Sequence, residues 1–137
     1  MALQLDIVTP EKKIFSDTVE NVYLPGADGE LGILPEHAGL VTALKAGELH
    51  YQYQGSRVTL AIGSGFAEVS QKKVVVLTDS ALGEAEIDEA AAEAAIKRAE
   101  EQLASMGHDA DAEDIAHLQS IIAQAAAALH FKRRTRH

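Results

Sequence analysis

The sequence predicts an all-β sandwich or barrel followed by a C-terminal antiparallel two-helix hairpin. Three observations carry that prediction. Residues 1–84 hold nine of the ten glycines and all three prolines. Residues 85–137 hold only Gly107, no proline, and sixteen alanines between Ala85 and Ala128. Apolar residues recur at every second position in the first stretch and at helical spacing in the second. A turn-punctuated β region before an alanine-rich α region follows from that change of period. The expected organisation is a sandwich over 1–84 and a hairpin over 85–137.

Taken in order, Leu3–Thr9 alternates from the outset and lacks the basic stretch and apolar run of a signal or transit peptide. It reads as a strand, and a cytosolic protein is expected. Lys13–Ser16, Val19–Pro25, Glu30–Leu34 and Leu40–Leu44 follow as strands, then Glu48–Gln54, Arg57–Ile62, Phe66–Ser70 and Val74–Thr78. Turn residues separate them at Gly26-Ala27-Asp28-Gly29, Ala46-Gly47, Gln54-Gly55-Ser56, Gly63-Ser64-Gly65 and Gln71-Lys72-Lys73. Short strands at this spacing predict antiparallel pairing. Val74-Val75-Val76-Leu77 is apolar on both faces, which predicts a central strand covered on both sides.

Ile87-Asp88-Glu89 opens a helical run to about Met106, started by Asp88 or Glu86, with acids in the first turn where the helix dipole favours them. Gly107 interrupts it. Asp109 or Asp111 can cap a second helix to about Phe131, in which Ile115, Leu118, Ile122, Ala125 and Leu129 form a seam. Alanine stabilises each helix but buries little area. At roughly 25 cal/mol per Å² an alanine seam gains less than a leucine seam. Composition leaves two readings open: a conformational switch whose helices persist while packing weakly against each other or the sandwich, or a thin static hairpin.

Composition also narrows function. The chain has 137 residues, 47% hydrophobic and 24% charged, enough apolar material for a core. A net charge of −9 argues against a phosphate-binding surface, and six aromatics leave little for stacking bases. With no cysteine, disulfides, thiolate catalysis and Cys-ligated zinc are excluded. Ser64 in Ile62-Gly63-Ser64-Gly65 lacks the glycine two positions earlier that a nucleophile elbow needs. Asp109-Ala110-Asp111-Ala112-Glu113-Asp114 resembles a calcium loop, but Asp114 and Ser120 stand where that loop needs glycine and glutamate. Helix capping explains these acids better. The six histidines show no i, i+4 pairing, so neither a metal nor a cofactor is expected.

One charge feature stands out. Residues 86–114 carry ten acidic and two basic side chains, while Lys132, Arg133, Arg134 and Arg136 crowd the C-terminus. Two readings are open here. The cations complement a helix C-terminus, or they form a mobile tip that docks on an acidic partner.

Gly29-Glu30-Leu31-Gly32-Ile33-Leu34-Pro35-Glu36-His37-Ala38-Gly39-Leu40 strongly resembles the epsilon subunit of bacterial F-type ATP synthases. So do Gly63-Ser64-Gly65-Phe66-Ala67-Glu68-Val69, the Val74–Asp79 strand after it, and Ile87-Asp88-Glu89-Ala90. The similarity runs over nearly the whole chain. It implies a ten-stranded flattened sandwich, a two-helix C-terminal domain and a non-catalytic place in the central stalk of the rotor. The sandwich would bind the gamma subunit and rest on the c-ring, with Glu30 and His37 facing the ring. The protein would lie peripherally at the cytoplasmic face of the membrane and couple proton-driven rotation to the catalytic head.

The resemblance further implies that the helices regulate. Extended, they would climb into the alpha and beta subunits and block ATP hydrolysis. As one continuous helix, fifty residues span about 75 Å at 1.5 Å per residue. Lys132, Arg133, Arg134 and Arg136 would then approach acidic segments of beta, an inhibitory basic tip. A stalk adaptor whose helices stay folded is the alternative. An enzyme built around Glu36 and His37 has no sequence signature.

Some relatives bind ATP on the folded hairpin through an Ile/Leu-Asp-x-x-Arg-Ala motif. Here Asp88 is present, but Ala91 stands where the arginine belongs, and no lysine or arginine lies between Arg98 and Lys132. A triphosphate needs cationic or backbone donors. Weak or absent ATP binding is therefore expected.

Overall fold

The computed structural model describes residues 3–33, 39–107 and 109–135. Ten strands come first: β1 (Leu3–Val8), β2 (Lys13–Val19), β3 (Asn21–Gly26), β4 (Gly29–Ile33), β5 (Leu40–Leu44), β6 (Gly47–Tyr53), β7 (Ser56–Ile62), β8 (Gly65–Val69), β9 (Lys73–Thr78) and β10 (Ala81–Leu82). A 3-10 turn at Glu84–Glu86 leads into α1 (Glu89–Ser105) and α2 (Ala112–Thr135). The architecture is the predicted sandwich followed by two helices.

The strands form one hydrogen-bonded path, β10-β7-β6-β3-β5-β8-β9-β1-β2, with β4 added to β3. Its weakest joint is between β3 and β5, which share only the Gly26–Leu44 pair. There the path folds over, and a common core forms between its two halves. Alternation sorts the side chains: Leu3, Leu5 and Ile7 of β1 are fully buried, as are Leu24, Leu49, Val74 and Val76. Gly26 sits where a Cβ would meet the Gly29 carbonyl oxygen at 2.6 Å. Gly29 itself closes the β3–β4 turn at φ +135°, a backbone state that L side chains rarely adopt.

An aromatic cluster joins β2 to β6. The Phe15 ring lies 4.7 Å from Tyr51 and 5.2 Å from Tyr53, the latter edge-on. The Tyr53 hydroxyl donates to Asp17 at 2.6 Å. That bond holds the Asp17 carboxyl below its ordinary range and pushes the Tyr53 phenol up. On β1, Asp6 accepts from Gln4 at 3.0 Å and Ser16 at 2.7 Å, with Lys73 at 3.4 Å. These partners stabilise the carboxylate and lower its pKa.

Three expectations from the sequence change. The pairing is not wholly antiparallel, since β1 runs parallel to β9, Gln4 opposite Lys73 through Val8 opposite Leu77. Turn signals specify only neighbours in sequence, and these two strands are far apart along the chain. β10, two residues long, escaped a reading based on runs of alternation. β9 is central, between β8 and β1, but it is covered on one side only: Val74 and Val76 are buried while Leu77 is 52% exposed.

The helices follow their caps. The Asp88 carboxylate accepts from the Ala91 amide at 3.1 Å and starts α1. Asp111 accepts from the Glu113 amide at 2.9 Å at the start of α2. The second helix runs a turn beyond Phe131, so Lys132, Arg133 and Arg134 belong to its last turn, where the dipole favours cations.

Gly65 offers a test of the β8–β9 register. A Cβ there would lie 1.9 Å from the Leu77 carbonyl oxygen. Gly65→Ala is expected to lower the denaturant midpoint by the equivalent of about 1–3 kcal/mol, the range for forced overpacking. Gly39→Ala, whose Cβ meets nothing closer than 3.4 Å, is expected to unfold near wild type.

Candidate functional site

Three surfaces concentrate the chemistry. The first is an apolar face that the described residues leave exposed. Val41, Phe66 and Leu77 are 72%, 59% and 52% exposed. Ladder register aligns them: Ala43 pairs with Phe66, Phe66 with Leu77, and Leu77 with Val8. One row therefore crosses β5, β8, β9 and β1 on the outer side, with Val41 two residues along from Ala43. Beside it, Pro10, Ser64 and Asp79 help line an open hollow of about 640 Å³. Ser64 donates to Asp79 at 3.3 Å and stands in a turn, as expected, with no histidine lining the hollow. An exposed apolar row of this kind is a candidate interaction surface.

The second surface is a polar groove on the other half of the sheet. Glu30, Lys45, Glu48, His50, Arg57 and Arg134 line it together with Pro25 and Gly47. Glu30 is exposed on β4 opposite Pro25. Its expected companion His37 lies outside the described residues. Glu48 and His50 are two apart on β6, so both face outward while Leu49 is buried between them.

The third surface is the seat of the hairpin. α2 packs on β6 and β7, and α1 packs on α2 rather than on the strands. Ala128 and Phe131 of α2 join Ala61, Ile87 and Leu82 in a small apolar cluster separate from the sandwich core. Gln124 donates to the Ser80 hydroxyl at 2.5 Å and lies over Gly63, where a Cβ would stand 2.8 Å from its amide oxygen. The Thr78 hydroxyl supports this platform by donating to the Gly63 carbonyl at 2.9 Å.

The basic tip is engaged in this conformation. Lys132 donates to the Glu84 carbonyl at 3.0 Å and lies 3.4 Å from its carboxylate. Arg133 pairs with Glu93 of α1, and Arg134 pairs with Glu48 of β6. Arg134 also stands over the Phe131 ring, 5.8 Å from its centre. Arg136 lies outside the described residues. Sequence reasoning found the cations and missed their acidic partners, because Glu48 and Glu84 carry no local signal.

Between hairpin and sandwich lies a groove of about 330 Å³, lined by Leu82, Glu86, Ile87, Asp88, Ala91, Ala92, Ala95, Ile121, Gln124, Ala125 and Ala128. The lining includes two carboxylates and no lysine or arginine. Asp88 is occupied in capping α1, and Arg98 lines a different groove with Ala99 and Gln102. Among the described residues no group of three or more His, Asp or Glu is placed to hold a metal ion.

The sandwich sequence settles the kinship. Residues 2–84 match the family described as ATP synthase, Delta/Epsilon chain, beta-sandwich domain. The chain belongs to the ATP synthase delta/epsilon family.

Relatives within this family extend the likeness into α1. An ATP synthase epsilon chain from Desulforamulus reducens is 53% identical over 108 residues, 79% of this chain and 82% of that one. One from Lawsonia intracellularis is 48% identical over 108 residues, covering 79% and 81%. Two solved structures share the fold. A chain of the Euglena gracilis mitochondrial ATP synthase, from a structure of its OSCP/F1/c-ring, superposes with a TM-score of 0.73 at 22% identity, covering 92% of this chain and 78% of that one. A chain from the Tetrahymena thermophila mitochondrial ATP synthase central stalk and c-ring gives 0.63 at 9% identity, covering 96% and 97%.

Glu86 and Asp88 at the rim of this groove are expected to disfavour a triphosphate. Calorimetric titration of the chain with Mg-ATP is expected to show no saturable stoichiometric heat, and a tight one-to-one isotherm would overturn that expectation.

Proposed function

We propose that this chain is a non-catalytic rotor subunit of the central stalk in a proton-translocating F-type ATP synthase. It couples c-ring rotation to the catalytic head and restrains ATP hydrolysis through a detachable C-terminal hairpin. The observation that carries the reading is the division between an intact sandwich with an uncovered apolar face and a hairpin held on its other side by few contacts. Kinship with ATP synthase epsilon chains supplies the complex in which those surfaces have partners.

The outer row of Phe66, Leu77 and Val41 suits the gamma subunit, because apolar rows at a sheet face favour a permanent partner. Glu30 and His37 suit the polar loops of the c-ring. Among the described residues no helix is long and apolar enough to cross a membrane. Attachment to the cytoplasmic face of the membrane would then come through the ring.

Energetics favour a releasable hairpin. An exposed ion pair between hairpin and sandwich such as Arg134–Glu48 contributes about 0–1 kcal/mol. Burial of one phenylalanine, here Phe131, contributes about 1.5–3 kcal/mol. Docking is thus worth a few kcal/mol, within reach of a competing partner. Once released, Lys132, Arg133, Arg134 and Arg136 are available to acidic segments of the beta subunits. Each role uses the same charges, so neutralising them weakens both the docked and the inhibiting form.

Three outcomes are expected. A chain ending at Gly83 should bind gamma yet relieve inhibition of ATP hydrolysis by the alpha/beta/gamma head; equal rates with both chains would favour the adaptor without a brake. Glu48→Gln with Glu84→Gln should strengthen inhibition by the full chain, since it loosens docking and leaves the tip intact. Phe66→Asp should weaken gamma binding by about 30-fold or more, as for a central interface residue, while circular dichroism and thermal midpoint stay near wild type.

A further inference from the structure

The polar groove that receives Arg134 contains an imidazole, that of His50. His50 stands on β6, and the elements around it each contribute. Glu48 precedes it on its own strand, Arg57 comes from β7, Glu30 from β4, Lys45 from the β5–β6 turn and Arg134 from α2. From β3, directly opposite in register, Tyr23 stacks on the imidazole with ring centres 4.9 Å apart and planes at 27°. With His50 neutral, three cationic groups face two carboxylates in this groove. An imidazolium would double the positive excess.

We propose that His50 makes docking of the hairpin pH-dependent: protonating its imidazole disfavours the Arg134–Glu48 pair and shifts the hairpin toward its detached form. The proposal rests on the reading that the hairpin detaches. Burial, then Arg57 and Arg134, lower the His50 pKa below its ordinary value, and the opposing pull of Glu48 and Glu30 does not offset them. Reciprocity follows from linkage: if docked Arg134 lowers the proton affinity of His50, a proton on His50 lowers the affinity of the groove for Arg134 by the same factor.

The direction can be worked through. When α2 leaves, His50 loses the Arg134 charge, so its pKa rises toward the ordinary value. The detached form therefore binds more protons than the docked form between those two pKa values. Acidification through that window, below about pH 6.5, favours detachment. Well above it both forms carry a neutral imidazole, and pH has no leverage through this residue.

The test uses the full chain. NMR titration of the His50 imidazole in wild type and Arg134→Gln should show a higher pKa in the variant, by a few tenths of a unit or about twofold in proton affinity. An unchanged value would overturn the linkage. Hydrogen exchange of the α2 amides over Gln124–Lys132, corrected for intrinsic rates, should show protection falling about twofold as pH drops through the titration. His50→Gln should remove that dependence. Retention of the same pH dependence in His50→Gln would overturn the proposal. If these amides open only with global unfolding at every pH, detachment itself fails, and the pKa comparison still reports separately on the charge coupling.

Discussion

Everything in this molecule rests on the insertion of β1 between β9 and β2. Residues 4–8 pair in parallel with residues 73–77, so the sandwich closes only when β1 meets a strand some seventy positions later. That contact buries Leu3, Leu5 and Ile7 beside Val74 and Val76 and makes the β region one cooperative unit. Such non-local pairing is slow to form but, once made, completes the β5-β8-β9-β1-β2 half whose inner face packs into the common core. The rigid body that results fixes where each functional surface stands: the apolar row on β5, β8, β9 and β1, and the polar groove on β4, β6 and β7.

The hairpin obeys different physics. Its helices are stabilised from within by alanine and by the caps at Asp88 and Asp111. Its seat on the sheet is narrow: Ala128 and Phe131 against Ala61, Leu82 and Ile87, one Gln124–Ser80 hydrogen bond, and ion pairs from Lys132 and Arg134. Helices stabilised individually and seated on few sandwich residues suit the proposed detachable hairpin. Screened surface charges are also sensitive to salt, to pH and to a better partner.

Parts of the candidate site were legible in the residues. The absence of a cation at Ala91 and between Arg98 and Lys132 was legible directly, and the groove beside Asp88 is lined by no lysine or arginine. The acids at 109–114 and Asp88 were read as caps, and Asp88 and Asp111 are. Glu48, His50 and Gln124 could not be found that way, because their meaning comes from what folds onto them. Leu77 did leave a trace, in a strand apolar on both faces. Alternation distinguishes two faces, but it does not say whether a face is covered by the same chain or left for another.

By itself the sequence determined the two kinds of structure, the places of nearly all the strands, the helix caps and the breaks at glycine. These depend on period, turn chemistry and propensity, all of which act within a few residues. Tertiary structure decided the parallel β1–β9 pairing, the fold-over at Gly26 and Leu44, the uncovered row around Phe66, and the pairing of Arg134 with Glu48 beside His50. Each joins residues distant along the chain, and which of them meet is set by burial of the whole core rather than by any local pattern.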